Sequence, residues 1–142
     1  MPRNGARRQA VAQAAFKRNE RIVLDILQAV GRPMKAYEIL EQAYTEGVTA
    51  PMTIYRALAA LIEAGHAAKI AGINAFVARV AGERKGPAAY FICRRCGEAL
   101  ERPLGDAMLN ALFGEAADRL DTVIVEAYGA CGRCAPAAKS RA

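Results

Sequence analysis

The residues with the clearest chemistry are four cysteines, which fall into two Cys-x-x-Cys pairs, Cys93/Cys96 and Cys131/Cys134. Two residues between thiols let one tight turn aim both sulfurs at a single ion. Two such turns complete a tetrahedral set of four thiolates, the geometry zinc takes in closed structural sites. Gly97 after the first pair, with Gly129 and Gly132 around the second, gives these turns backbone freedom. The pattern predicts one structural zinc per chain. Disulfides or buried thiol pairs are the competing reading, but no secretory context is visible. Four thiolates also close the coordination sphere and leave no position for water, and no Ser/His/Asp or Cys/His pair with spare residues exists, so an enzyme is the weakest reading.

The next signal is charge. Residues 1–35 hold eight Lys/Arg (Arg3, Arg7, Arg8, Lys17, Arg18, Arg21, Arg32, Lys35) against Glu20 and Asp25, and so carry the whole net charge of +6. A basic end on a neutral body points to a polyanion, nucleic acid before a membrane surface. No apolar run approaches the roughly 18 residues that span a bilayer, and Ala10–Phe16 is too weakly apolar for a signal segment. The expectation is a cytoplasmic protein with reduced thiols and no membrane partner. A hydrophobic fraction of 54% with 24% charged residues describes a folded chain.

These residues need elements to position them. Ile22, Val23, Ile26, Leu27 and Val30 recur at helical spacing, and Gly31 and Pro33 end the helix. Ala36, Ile39, Leu40 and Ala43 repeat the pattern, with Lys35 a poor cap. A third helix starts with Thr49 as N-cap and Pro51 in its first turn, and buries Ile54, Leu58, Leu61 and Ile62. Its opposite face is small: Met52, Thr53, Arg56, Ala59, Ala60 and Glu63, with Tyr55 on the flank. Such a face can lie close to a partner while Arg56 and Tyr55 reach out. Strands at 68–71 and 75–80 form a hairpin. Three short helices and a hairpin are the parts of a winged helix-turn-helix, whose third helix enters the major groove. The charged, turn-forming residues 82–88 read as a hinge. Beyond it, residues 89–134 read as strand, knuckle, strand, a helix apolar over a wide arc (Leu104 to Leu120), a strand at 122–128 and the second knuckle. A lobe this small calls for a partner chain. Residues 135–142 read as a tail. The fold class is α+β: a winged-helix lobe (1–81) and an α/β dimerisation lobe with the four-cysteine site.

From about Asn19 to Cys134 the chain resembles the ferric-uptake-regulator superfamily of bacterial metal-responsive repressors, and its zinc-uptake-regulator branch in particular. The resemblance rests on Met34-Lys-Ala-Tyr-Glu-Ile-Leu40, on Ala50-Pro-Met-Thr-Ile-Tyr-Arg-Ala-Leu58, on Tyr90-Phe-Ile-Cys-Arg-Arg-Cys-Gly97 and on Glu126-Ala-Tyr-Gly-Ala-Cys-Gly-Arg-Cys134. It implies a homodimer that reads an inverted-repeat operator in double-stranded DNA. Thr53, Tyr55 and Arg56 would lie on the DNA-facing helix. The basic end, outside the resemblance, adds Arg7 and Arg8 as expected phosphate contacts. The resemblance also implies a sensory metal between the lobes, held largely by histidines. Here the stretch Gly86-Pro-Ala-Ala-Tyr90 before the first knuckle offers no ligand. His66 is the single histidine, and with Glu83 and Glu101 it makes at most a weak sensory site, since one imidazole with carboxylates binds zinc or manganese poorly. A second, regulatory metal is therefore left open. Two functions follow: a DNA-binding repressor with an atypical or missing sensory site, or a zinc-stabilised interaction module that has lost regulation.

Overall fold

The structure is a computed structural model that describes residues 16–80 and 86–135. Arg7, Arg8, Glu83, residues 82–85 of the expected hinge and residues 136–142 of the expected tail lie outside that range.

α1 (Arg18–Val30) buries Val23, Leu24 and Leu27, with Ile22, Ile26 and Val30 packed partly against the same cluster. Neither α1 nor α2 (Ala36–Ala43) has a capping side chain in front of it. Instead a glutamate three residues in reaches back: the Lys17 N–H donates to Glu20 at 3.1 Å and the Lys35 N–H to Glu38 at 2.7 Å. This is the returning half of a capping box, and it settles a start that Lys35 alone left vague. α3 (Pro51–Glu63) begins one residue later than a Thr49 cap implies. Ala50 is its N-cap, and Pro51 supplies the preset φ of the first turn. The helix buries Ile54, Ala57, Leu58 and Leu61, whereas Ile62, expected inside, is 37% exposed.

β1 (Ala67–Ile70) and β2 (Ala75–Ala78) form the antiparallel hairpin, closed by a 3-10 turn over Ala71–Ile73. Met34 adds a further rung, exchanging both backbone hydrogen bonds with Phe76 at 2.8 and 2.7 Å. The hairpin is apolar on both faces. Ala67 and Phe76 join the helical core, while Ala68, Ile70 and Val77 pack against Ala88, Tyr90 and Ile92 of the second sheet. The period-two alternation of a strand thus makes one hairpin serve two cores.

The second sheet has the order β4-β3-β5. β3 (Ala88–Cys93) pairs antiparallel with β4 (Ala99–Pro103) and parallel with β5 (Ile124–Gly129). α4 (Asp106–Phe113) and a 3-10 stretch over Gly114–Arg119 carry the chain from β4 to β5. The apolar arc suggests a longer helix, but α4 ends where Gly114 takes a φ of 54° that a side chain resists. Only Leu109 of α4 is buried; Met108, Leu112 and Phe113 stand 52%, 53% and 39% exposed.

Candidate metal centre and nucleic-acid interface

The parallel pairing of β3 with β5 is what brings the two knuckles together. Parallel strands end at the same edge of a sheet, and here Cys93 sits opposite Gly129. The first knuckle leaves β3 at that edge and the second follows β5. The Arg94 N–H extends the ladder to the Gly129 carbonyl at 2.8 Å. Gly97 closes its turn at a φ of 77°, whereas Gly129 and Gly132, expected to need the same freedom, are absent from the positive-φ positions.

The four Sγ atoms lie within 4.8 Å of one another, and Cys96 and Cys131 Sγ are 3.8 Å apart. Zinc–sulfur bonds of about 2.3 Å in a tetrahedron require sulfurs about 3.8 Å apart, so the set fits zinc. Among the described residues this is the one group of three or more His, Cys, Asp or Glu side chains close enough to hold an ion. Cys93 is 1% exposed, and its Sγ accepts the Cys131 backbone N–H at 3.3 Å. That hydrogen bond, followed by the Cys96 N–H, draws the Cys93 thiol down to about 6. The Cys134 N–H, likewise, lowers Cys131. Their neighbours move the other way. Cys134 is pushed up to about 12, chiefly by its contact with Cys131. Cys96 is raised because Cys93 and burial outweigh the pull of the Glu98 N–H. Four thiolates this close repel one another, and a divalent cation at their centre relieves that repulsion.

The expected outward face of α3 is outward. Met52, Tyr55 and Arg56 are exposed and Thr53 is half-buried, with Tyr55 at 51%. Arg56 has no hydrogen-bond or ion-pair partner among the described residues. The sequence reading missed two further aromatics of this lobe, Tyr37 at 62% and Tyr44 at 65% exposure. The signal was available: Tyr37 falls off the Ala36, Ile39, Ala43 stripe of α2, where a large ring has no burial to gain.

Of the candidate sensory residues, Glu83 lies outside the described residues, and neither His66 nor Glu101 belongs to a group of three or more metal-ligating side chains among those described. His66 packs edge-on against the Phe16 ring, centroids 4.8 Å apart. Glu101 has a side chain only 7% exposed and paired with Arg79 at 2.7 Å.

No family model matches the chain. Over 116 residues it is 28% identical to the zinc uptake regulation protein of Escherichia coli (strain K12), covering 79% of this chain and 68% of the relative. A zinc uptake regulator complexed with zinc and DNA superposes with a TM-score of 0.76 at 25% identity over 90% of both chains. The holo form of XcZur does so with a TM-score of 0.72 at 30% identity, over 82% of this chain and 84% of that one. A winged helix joined to a mixed sheet with paired cysteine knuckles at one edge, and these matches, place the chain in the ferric-uptake-regulator superfamily, to which it belongs. Within it the chain stands on the zinc-uptake-regulator side, whose members are transcription regulators rather than enzymes.

Proposed function

We propose that the chain is a sequence-specific DNA-binding repressor of the zinc-uptake-regulator kind, working as a homodimer on an inverted-repeat operator in the cytoplasm. The observation that carries the reading is the face of α3, where Tyr55 and Arg56 project from a surface of small residues, with no hydrogen-bond or ion-pair partner among the described residues. A recognition helix needs that profile: close approach for the backbone, and a long donor for a base edge or phosphate. The basic segment holding Arg7 and Arg8 adds sequence-independent attraction. Its relative's complex with zinc and DNA supports the same assignment.

Cys93, Cys96, Cys131 and Cys134 would hold the zinc. When bound, it supplies cross-linking of two chain segments and folding free energy, not catalysis. The exposed apolar residues of α4, with Leu100 and Ile124 at 50% and 44% exposure, form the surface we assign to a second copy. Among the described residues no helix is long and apolar enough to cross a membrane.

The test is selection of bound sites from random duplex DNA by the zinc-loaded chain. The reading expects one enriched, two-fold symmetric motif, with binding that weakens steeply as salt rises. Recovery of unenriched DNA would favour the interaction-module reading instead.

A further inference from the structure

Glu101 is where the two lobes are fastened. It lies on β4, yet two of its three donors come from the chain just after β2. Oε1 accepts Arg79 Nε at 2.7 Å and the Tyr90 hydroxyl at 2.7 Å, and Oε2 accepts the Val80 N–H at 2.9 Å. Tyr90 is opposite Glu101 in the sheet and is 2% exposed. The Arg79 side chain is 10% exposed. Its own backbone N–H donates to the His66 carbonyl at 2.9 Å, three residues past the end of α3. The ion pair therefore reaches the recognition helix through a single backbone rung.

The other end of the hairpin is pinned in the same manner. Glu126 Oε1 on β5 accepts the Gly72 N–H at 3.0 Å and the Tyr128 hydroxyl at 2.8 Å. A Cβ at Gly72 would overlap that hydroxyl unless the Tyr128 ring shifted, so the turn lies close against β5. Between the two carboxylates the contact is apolar.

Such a junction limits what can regulate it. A divalent ion bound at Glu101 would have to displace a guanidinium and a hydroxyl already hydrogen-bonded to it. Removing one partner of a buried ion pair strands the other, which is costly. We propose that Arg79 is a built-in cation of the interlobe junction: held by Glu101, it sets the helical lobe on the second sheet, so that this placement requires no second metal ion. Arg79 is a positioning residue, acting on DNA through Glu101 and the hairpin. The proposal rests on the DNA-binding reading above.

The experiment uses the full chain with its structural zinc on a wild-type-selected DNA site, with binding followed by fluorescence anisotropy against buffered free zinc. Wild-type affinity should change less than about tenfold across the titration. Arg79→Gln should bind at least about tenfold more weakly at every zinc level while keeping one zinc per chain. Arg79→Lys should recover part of the loss, and the exchanged pair Arg79→Glu/Glu101→Arg should bind better than either single change. Wild-type binding that rises about a hundredfold with zinc overturns the proposal, as does Arg79→Gln binding like wild type. If Arg79→Gln loses its zinc, the exchanged pair decides, and no gain over its single variants overturns the idea. A wild type that selects no site defeats the DNA-binding reading alone. Hydrogen exchange at the Val80 and Gly72 amides then tests the junction: faster exchange of the Val80 amide in Arg79→Gln supports it, and unchanged protection overturns it.

Discussion

Arg79 Nε and Glu101 Oε1 stand 2.7 Å apart, tying the residue after β2 to the middle of β4. With Tyr90 and Val80 as further donors to the same carboxylate, the pair makes the lobe junction polar at its rim and apolar within. Its energetics are accessible to pH.

Glu101 is held below the ordinary carboxylate range. Burial works to raise it, but the Tyr90 hydroxyl, the Arg79 guanidinium and the Val80 N–H together outweigh burial. A carboxyl with a lower pKa folded than unfolded stabilises the fold above its unfolded value, near pH 4.3 for Glu, and loses that contribution as pH falls through the folded value. Thermal melts of wild type and Glu101→Gln should thus differ most at about pH 7 and draw together below about pH 4. A gap that stays constant with pH would count against the role given to this ionised group.

Cys96→Ser removes one of four ligands and should lose the zinc. Structural zinc in small modules is worth on the order of 10 kcal/mol of folding free energy. The knuckles also close the edge where β3 and β5 end, so the mutant should lose dimer mass as well as metal. Native mass spectrometry reads both, and an unchanged zinc-loaded dimer would refute the metal assignment.

Leu112 is 53% exposed on α4 beside Met108 and Phe113. Placing a charge there, as Leu112→Glu, leaves the monomer's buried residues alone but puts a carboxylate into the proposed dimer surface. Sedimentation should show the variant as a monomer with normal zinc content. A stable dimer would mean that the second copy docks elsewhere.

The candidate metal site was legible because its four cysteines come in local pairs: each pair needs one turn, and spacing alone specifies it. That the pairs meet was implied by their number, but the reason, a parallel β3–β5 ladder, is a topological fact spanning 38 residues between the Cys93 Sγ and the Cys131 N–H. The outward face of α3 followed from period, since the helix turns Tyr55 and Arg56 away from Ile54, Leu58 and Leu61. The junction at Glu101 was not legible because its partner Arg79 lies 22 residues away, brought to it by packing that no local pattern records. Ile62 was placed inside for the opposite reason: its spacing fits the stripe, but at the end of α3 it borders the interlobe cavity with Ala67, Ala88 and Val123 and stays partly open.

The most direct measurement is equilibrium binding of wild type and Arg56→Ala to the selected operator, with zinc content and melting temperature taken on the same samples. A side chain that reads a base is worth about 1–3 kcal/mol of discrimination. The account predicts that Arg56→Ala loses most of its preference for the operator over scrambled DNA, with one zinc per chain and the melt unchanged. Wild-type preference retained in Arg56→Ala would contradict it.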